Sequence, residues 1–123
     1  MPQIELVLAG GPGFSQGSTE HRYMLNVALT PTGELDPEAW QADPAVWPAE
    51  RVWAGDRRPG DVQFDPDTGW WISIHRTPED VADPESAPLQ SPIRGAGPFR
   101  PGEYVTLRER DGKEYAYRVV SVT

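Results

Sequence analysis

Apolar side chains return at every second position through much of this 123-residue chain. That is the spacing of a pleated strand with one buried face. Ile4, Leu6 and Leu8 share a face of the first such stretch, which ends where Gly10-Gly11-Pro12-Gly13 interrupts any regular ladder. Tyr23, Leu25, Val27 and Leu29 repeat the pattern over residues 21–30; wound into a helix, the four would scatter around the axis. Residues 51–54 read as a short strand followed by a turn over 55–60. Residues 61–64 and 70–76 flank Asp65-Pro66-Asp67-Thr68-Gly69, a five-residue hairpin loop with glycine at its exit. In the second arm Trp70, Ile72 and Ile74 are expected to face the core, with Trp71, Ser73 and His75 on the other side.

The last strands, residues 104–110 and 113–122, surround Asp111-Gly112, a pair suited to a two-residue type I′ turn. That register sets Arg108 opposite Tyr115, Thr106 opposite Tyr117 and Arg110 opposite Lys113, all on one side of the ribbon. It also sets Glu109 against Glu114 and Val105 against Arg118, so the choice of buried face stays open. Helical signals are brief. Asp36-Pro37-Glu38 is a capped helix start limited by Pro44 and Pro48, and Thr77-Pro78-Glu79-Asp80 repeats the signal before Pro84. Residues 77–102 hold six prolines and no sustained period, which predicts a long surface loop. The sum is six or seven short strands in a single domain spanning residues 1–123. The predicted fold class is all-β: a mainly antiparallel small barrel, roll or sandwich with one or two helical turns.

Composition refines this picture. Apolar residues make up 37% of the chain, below the roughly 45–50% usual for globular proteins. Five tryptophans partly compensate, because each large aromatic buries on the order of 150–250 Å². The absence of cysteine excludes disulfides, thiol nucleophiles and thiolate zinc sites. No basic, continuously apolar leader opens the sequence, and no apolar run is long enough to span a bilayer, so a cytoplasmic location is expected. The net charge of −8 disfavours nucleic acid. Its sign is uneven, however. Arg22 is the lone base of residues 1–50, whereas Arg94, Arg100, Arg108, Arg110, Lys113 and Arg118 crowd the C-terminal quarter.

Candidate chemistry is sparse. Gly13-Phe14-Ser15-Gln16-Gly17 fits G-x-S-x-G after an apolar strand and resembles the serine motif of α/β-hydrolase esterases. That resemblance implies Ser15 as nucleophile, with Asp65 or Asp67 and His75 following in the order Ser, Asp, His. The motif requires a helix after it, and here the following residues alternate like a strand; an ordinary glycine-rich loop accounts for the same five residues. Asp65-x-Asp67-x-Gly69 has the start of a calcium loop, but its glycine comes one position early and Arg76 occupies the place of the bidentate glutamate. His21 and His75 lack paired metal-ligand spacing. Neither a metal nor a cofactor is implied.

The resulting expectation is a small soluble binding or accessory module acting through protein contacts. Its surface would combine Arg108, Arg110, Tyr115 and Tyr117 with Trp71 and His75. The partner would be another protein or a second copy of the chain, the latter favoured by an unpaired strand edge near the C-terminus. The alternatives are a small serine hydrolase using Ser15 and a structural subunit of a larger assembly.

Overall fold

The computed structural model describes residues 1–42, 46–75 and 89–123. Eight strands follow one another around a closed barrel: β1 (Gln3–Gly10), β2 (Ser18–Asn26), β3 (Pro48–Trp53), β4 (Asp56–Asp65), β5 (Gly69–Ile74), β6 (Leu89–Ala96), β7 (Tyr104–Arg108) and β8 (Glu114–Val122). Every neighbouring pair is antiparallel, and β8 returns to pair with β1 from Ile4↔Val122 to Gly10↔Ala116. An all-β small barrel is therefore what the alternating pattern builds. Closure removes the expected free edge near the C-terminus, because the last strand spends its outer hydrogen bonds on the first.

The alternating apolar residues fill the interior. Ile4, Leu6 and Leu8 of β1, Tyr23 and Leu25 of β2, Val62 of β4, Ile72 and Ile74 of β5, and Val105 and Leu107 of β7 are all buried. Eight strands enclose just the width that side chains can fill. The β2–β3 connection crosses the far end, where Leu35, Trp47 and Phe99 are buried. There the Trp47 and Trp70 rings stack with centroids 5.4 Å apart. The one helix among the described residues, α1 (Pro37–Ala42), belongs to this connection. Asp36 caps it as expected, its Oδ1 accepting the Glu38 and Ala39 amides at 3.0 and 3.1 Å. Trp40 ties it to the sheet through Nε1 donating to the Val62 carbonyl at 3.2 Å. The second helix signal, at 77–80, lies outside the described residues.

Three local expectations are corrected. Residues 56–60 belong to β4, and the β3–β4 turn is Ala54-Gly55 alone, with positive φ of 50° and 88° at the two central positions. Pro59 fits inside β4 because its carbonyl, and hence its missing N–H, faces His75, just beyond the end of β5. Part of the predicted 77–102 loop, residues 89–96, is β6, with a bulge between Ile93 and Gly95 beside Pro92.

The third correction moves the candidate surface. Gly112 N–H donates to the Glu109 carbonyl and Glu109 N–H to the Lys113 carbonyl, each at 2.9 Å, while Gly112 takes φ +79°. This is a three-residue loop ending in a left-handed glycine, not a two-residue turn. The extra residue shifts the ladder to Leu107↔Tyr115 and Val105↔Tyr117. A one-residue shift sends every side chain of one arm to the opposite face. Tyr115 and Tyr117 therefore point inward with Val105 and Leu107, and Arg108 points outward opposite Glu114.

Candidate functional site at the barrel mouth

The β1–β2, β3–β4 and β7–β8 loops all lie at one end of the barrel. There the interior changes from aliphatic to polar. Arg51 of β3 and Glu109, one residue past β7, occupy inward positions and are 8% and 5% exposed. Arg51 Nη2 donates to Glu109 Oε2 at 3.2 Å, and its Nε donates to the Tyr23 hydroxyl at 3.1 Å. Glu109 Oε1 accepts hydrogen bonds from Tyr23 at 2.8 Å and Tyr117 at 2.7 Å. Tyr23 also lies 2.9 Å from the Ser91 hydroxyl of β6. Four strands and the β7–β8 turn are thus joined by one buried network whose charges are paired, the condition under which burial of charge is tolerated. Burial above all, reinforced by Glu109, raises both the Tyr23 and Tyr117 hydroxyls far above the ordinary tyrosine range. For Tyr117 the neighbouring Tyr23 adds to the same effect.

Aromatic side chains surround this network. The Arg51 guanidinium lies 4.1 Å from the Trp53 ring centroid, a cation–π contact. Trp53 meets His21 edge to face at 4.2 Å and Tyr115 at 6.3 Å. Phe14, from the β1–β2 loop, packs against His21 at 4.7 Å. Gly11 permits this closure, since a Cβ there would run into the Tyr115 ring. Burial, then the Arg51 charge, lowers the His21 pKa below its ordinary 6.5. Tyr115 donates to Asp111 Oδ2 at 2.6 Å, which together with some burial pushes its hydroxyl up to about 12. The same bond, with the Lys113 amide, holds the Asp111 carboxyl below its usual range. A cavity of about 360 Å³ opens among Arg51, Trp53, Asp56, Arg58, Glu109, Arg110, Asp111 and Tyr115.

Of the residues singled out from sequence, Arg110 and Tyr115 line this mouth, and Tyr117 lies beneath it in the network. Arg108 stands on the outer face, its Nη2 3.6 Å from Glu114 Oε1, an oxygen also approached at 3.6 Å by Arg94. Trp71 and His75 occupy the outer side of β5 and do not line the cavity; His75 Nε2 lies 3.2 Å from Asp61 Oδ2. Ser15 is exposed in the β1–β2 loop and makes no side-chain hydrogen bond among the described residues. The serine that meets a histidine is Ser18, 2.8 Å from His21 Nδ1. Asp65 is occupied by its own loop, accepting the Asp67 and Thr68 amides at 2.7 and 3.2 Å. Sequence reasoning missed Arg51, Glu109, Tyr23 and Ser91. The signal available was parity: Glu109 follows Val105 and Leu107 at period two, so a carboxylate stood at a core position and required a buried cation. No protein-family model, curated protein or solved structure matches the chain.

Proposed function

We propose that the protein is a binding module that takes a small molecule at the mouth of its barrel. The observation that carries this reading is the cavity floor, where two oppositely charged side chains, 8% and 5% exposed, meet a pocket of about 360 Å³. Barrel mouths are a recurrent place for small ligands, in pockets of roughly 300–1,000 Å³ with a few fixed polar groups. An apolar filling of the same volume is often as stable as a buried ion pair, so stability alone does not account for Arg51 and Glu109. The outer grooves along β1–β4 and beside Tyr104, about 490 and 520 Å³, have no buried charged residue in their walls.

The same geometry favours binding over turnover. The mouth's buried hydroxyls keep their protons, and among the described residues no base is hydrogen-bonded to Ser15. A fluorophosphonate probe is expected to leave Ser15 unlabelled; an adduct there, lost in Ser15→Ala, restores the hydrolase alternative. The binding reading is tested by amide chemical-shift mapping with a panel of anionic, neutral and cationic fragments. Saturable shifts are expected at Arg51, Trp53, Tyr115 and residues 109–111. Shifts confined to other surfaces contradict it.

A second reading, contact with another protein or a second copy, is favoured by one surface observation. Tyr104 is 57% exposed and pairs with Arg118 on the same outer face as Arg108. Sedimentation of the wild type against Tyr104→Ser and Arg118→Glu tests the self-associating form. A monomer throughout the concentration range removes it.

A further inference from the structure

We propose that the occupant of the mouth is a small organic monocarboxylate. Its carboxylate would be met by Arg51 Nη1 and Arg110, and its apolar body would lie along Trp53 and Tyr115. This rests on the mouth being the binding site and adds the chemical class of the ligand.

The polar groups that already have partners define what the cavity can still bind. The acceptors lining the cavity are largely satisfied. Glu109 Oε1 holds two tyrosine hydroxyls and Oε2 holds Arg51. Asp111 Oδ1 accepts the Lys113 amide at 2.9 Å and Oδ2 accepts Tyr115. Asp56 Oδ2 accepts Arg58 Nε at 2.9 Å. The donors are not. Arg51 uses Nε and Nη2 within the network, which leaves Nη1 with no partner among the described residues. Trp53 Nε1 and the whole Arg110 guanidinium likewise have none. A cavity whose acceptors are mostly taken while these three donors stay open selects a ligand that accepts hydrogen bonds, and ionised acceptors bind such donors about twice as strongly as neutral ones.

The fixed surroundings narrow the class further. Arg51 is held between the Trp53 ring and its bonds to Tyr23 and Glu109, so little rotamer freedom is lost on binding. Glu109, Asp56 and Asp111 lie around the same cavity and offset the charges of Arg51, Arg58 and Arg110, so the site has little surplus positive charge for a phosphate dianion and suits a single carboxylate better. Trp53 and Tyr115 supply apolar wall rather than further charge.

The test titrates intact protein with benzoate, its neutral isostere benzamide, and inorganic phosphate at neutral pH, followed by amide and indole N–H shifts. Benzoate is expected to move Trp53, Tyr115 and residues 109–111 saturably and to bind at least about tenfold more tightly than benzamide. Arg110→Gln, an exposed substitution that leaves the buried network intact, should weaken benzoate several-fold and benzamide by less. Equal binding of benzamide at these residues overturns the carboxylate assignment while leaving the mouth as a site. Tighter binding of phosphate than benzoate also overturns it. If none of the three probes moves the mouth signals, the assignment falls together with the small-molecule reading on which it rests.

Discussion

Glu109 carries more of this molecule than its position beside a hairpin turn suggests, because one carboxylate accepts from two tyrosines and an arginine drawn from β2, β3 and β8. Glu109→Leu strands the Arg51 charge in a site where it is 8% exposed, and removing one partner of a buried pair costs about 3–5 kcal/mol. Denaturant unfolding should show that loss. The double replacement Arg51→Met with Glu109→Leu should cost less than Glu109→Leu alone, since no lone charge remains. His21 gives a second expectation at this scale. Its folded pKa lies below the ordinary 6.5 through burial and Arg51, against the opposing pull of Glu20 and Glu109. The unfolded chain therefore takes up the proton first as pH falls. Stability should be unaffected by this group above about 6.5 and should decline as pH drops below it toward the folded value. His21→Gln should flatten that part of the stability–pH curve; an unchanged slope places its origin elsewhere.

Turns decide the faces of the strands. In the β3–β4 hairpin both turn residues have positive φ, and the first is Ala54 at 50°. Asparagine adopts that conformation more readily than alanine, whose Cβ crowds the following carbonyl. Ala54→Asn should raise stability by about 0.5–1 kcal/mol, read as a higher thermal midpoint. The same kind of local detail explains what the sequence disclosed. Period-two spacing identified the inward residues of β1, β2 and β5 correctly, because each strand's parity is written in its own residues. Pairing across a turn is not. Asp111-Gly112 serves a two-residue or a three-residue loop equally well, and the choice moves Tyr115 and Tyr117 from surface to core. Pro59 and Pro92 concealed parts of β4 and β6, since proline reads as a breaker unless its missing N–H falls at a strand end or a bulge. The mouth depends on all three features, so its fold class was legible while its residues were only half so.

At the scale of the whole molecule, closure converts a mobile ribbon of hairpins into one unit whose two ends differ. The far end is packed with Trp47, Trp70 and Phe99, and the mouth carries the polar network. Tyr23 and Tyr117 reach solvent only when the barrel opens, so their ionisation should coincide with global unfolding. Their pKa values are raised in the folded state, which means that stability is retained below the ordinary value of 10.0 and lost as pH rises above it. Tyrosinate absorbance and loss of tertiary structure should then rise together; ionisation of these two side chains in an intact barrel contradicts the network. The five tryptophans report separately on the places in dispute: Trp53 at the mouth, Trp47, Trp70 and Trp40 toward the far end, and Trp71 on the outer face of β5. Labelling them with 5-fluorotryptophan, assigning each signal by a Trp→Phe replacement and adding benzoate tests the account most directly. The predicted result is a saturable shift of the Trp53 fluorine resonance, with Trp71 and the far-end signals at rest. A silent Trp53 beside a moving Trp71 would contradict it and place recognition on the outside of the sheet.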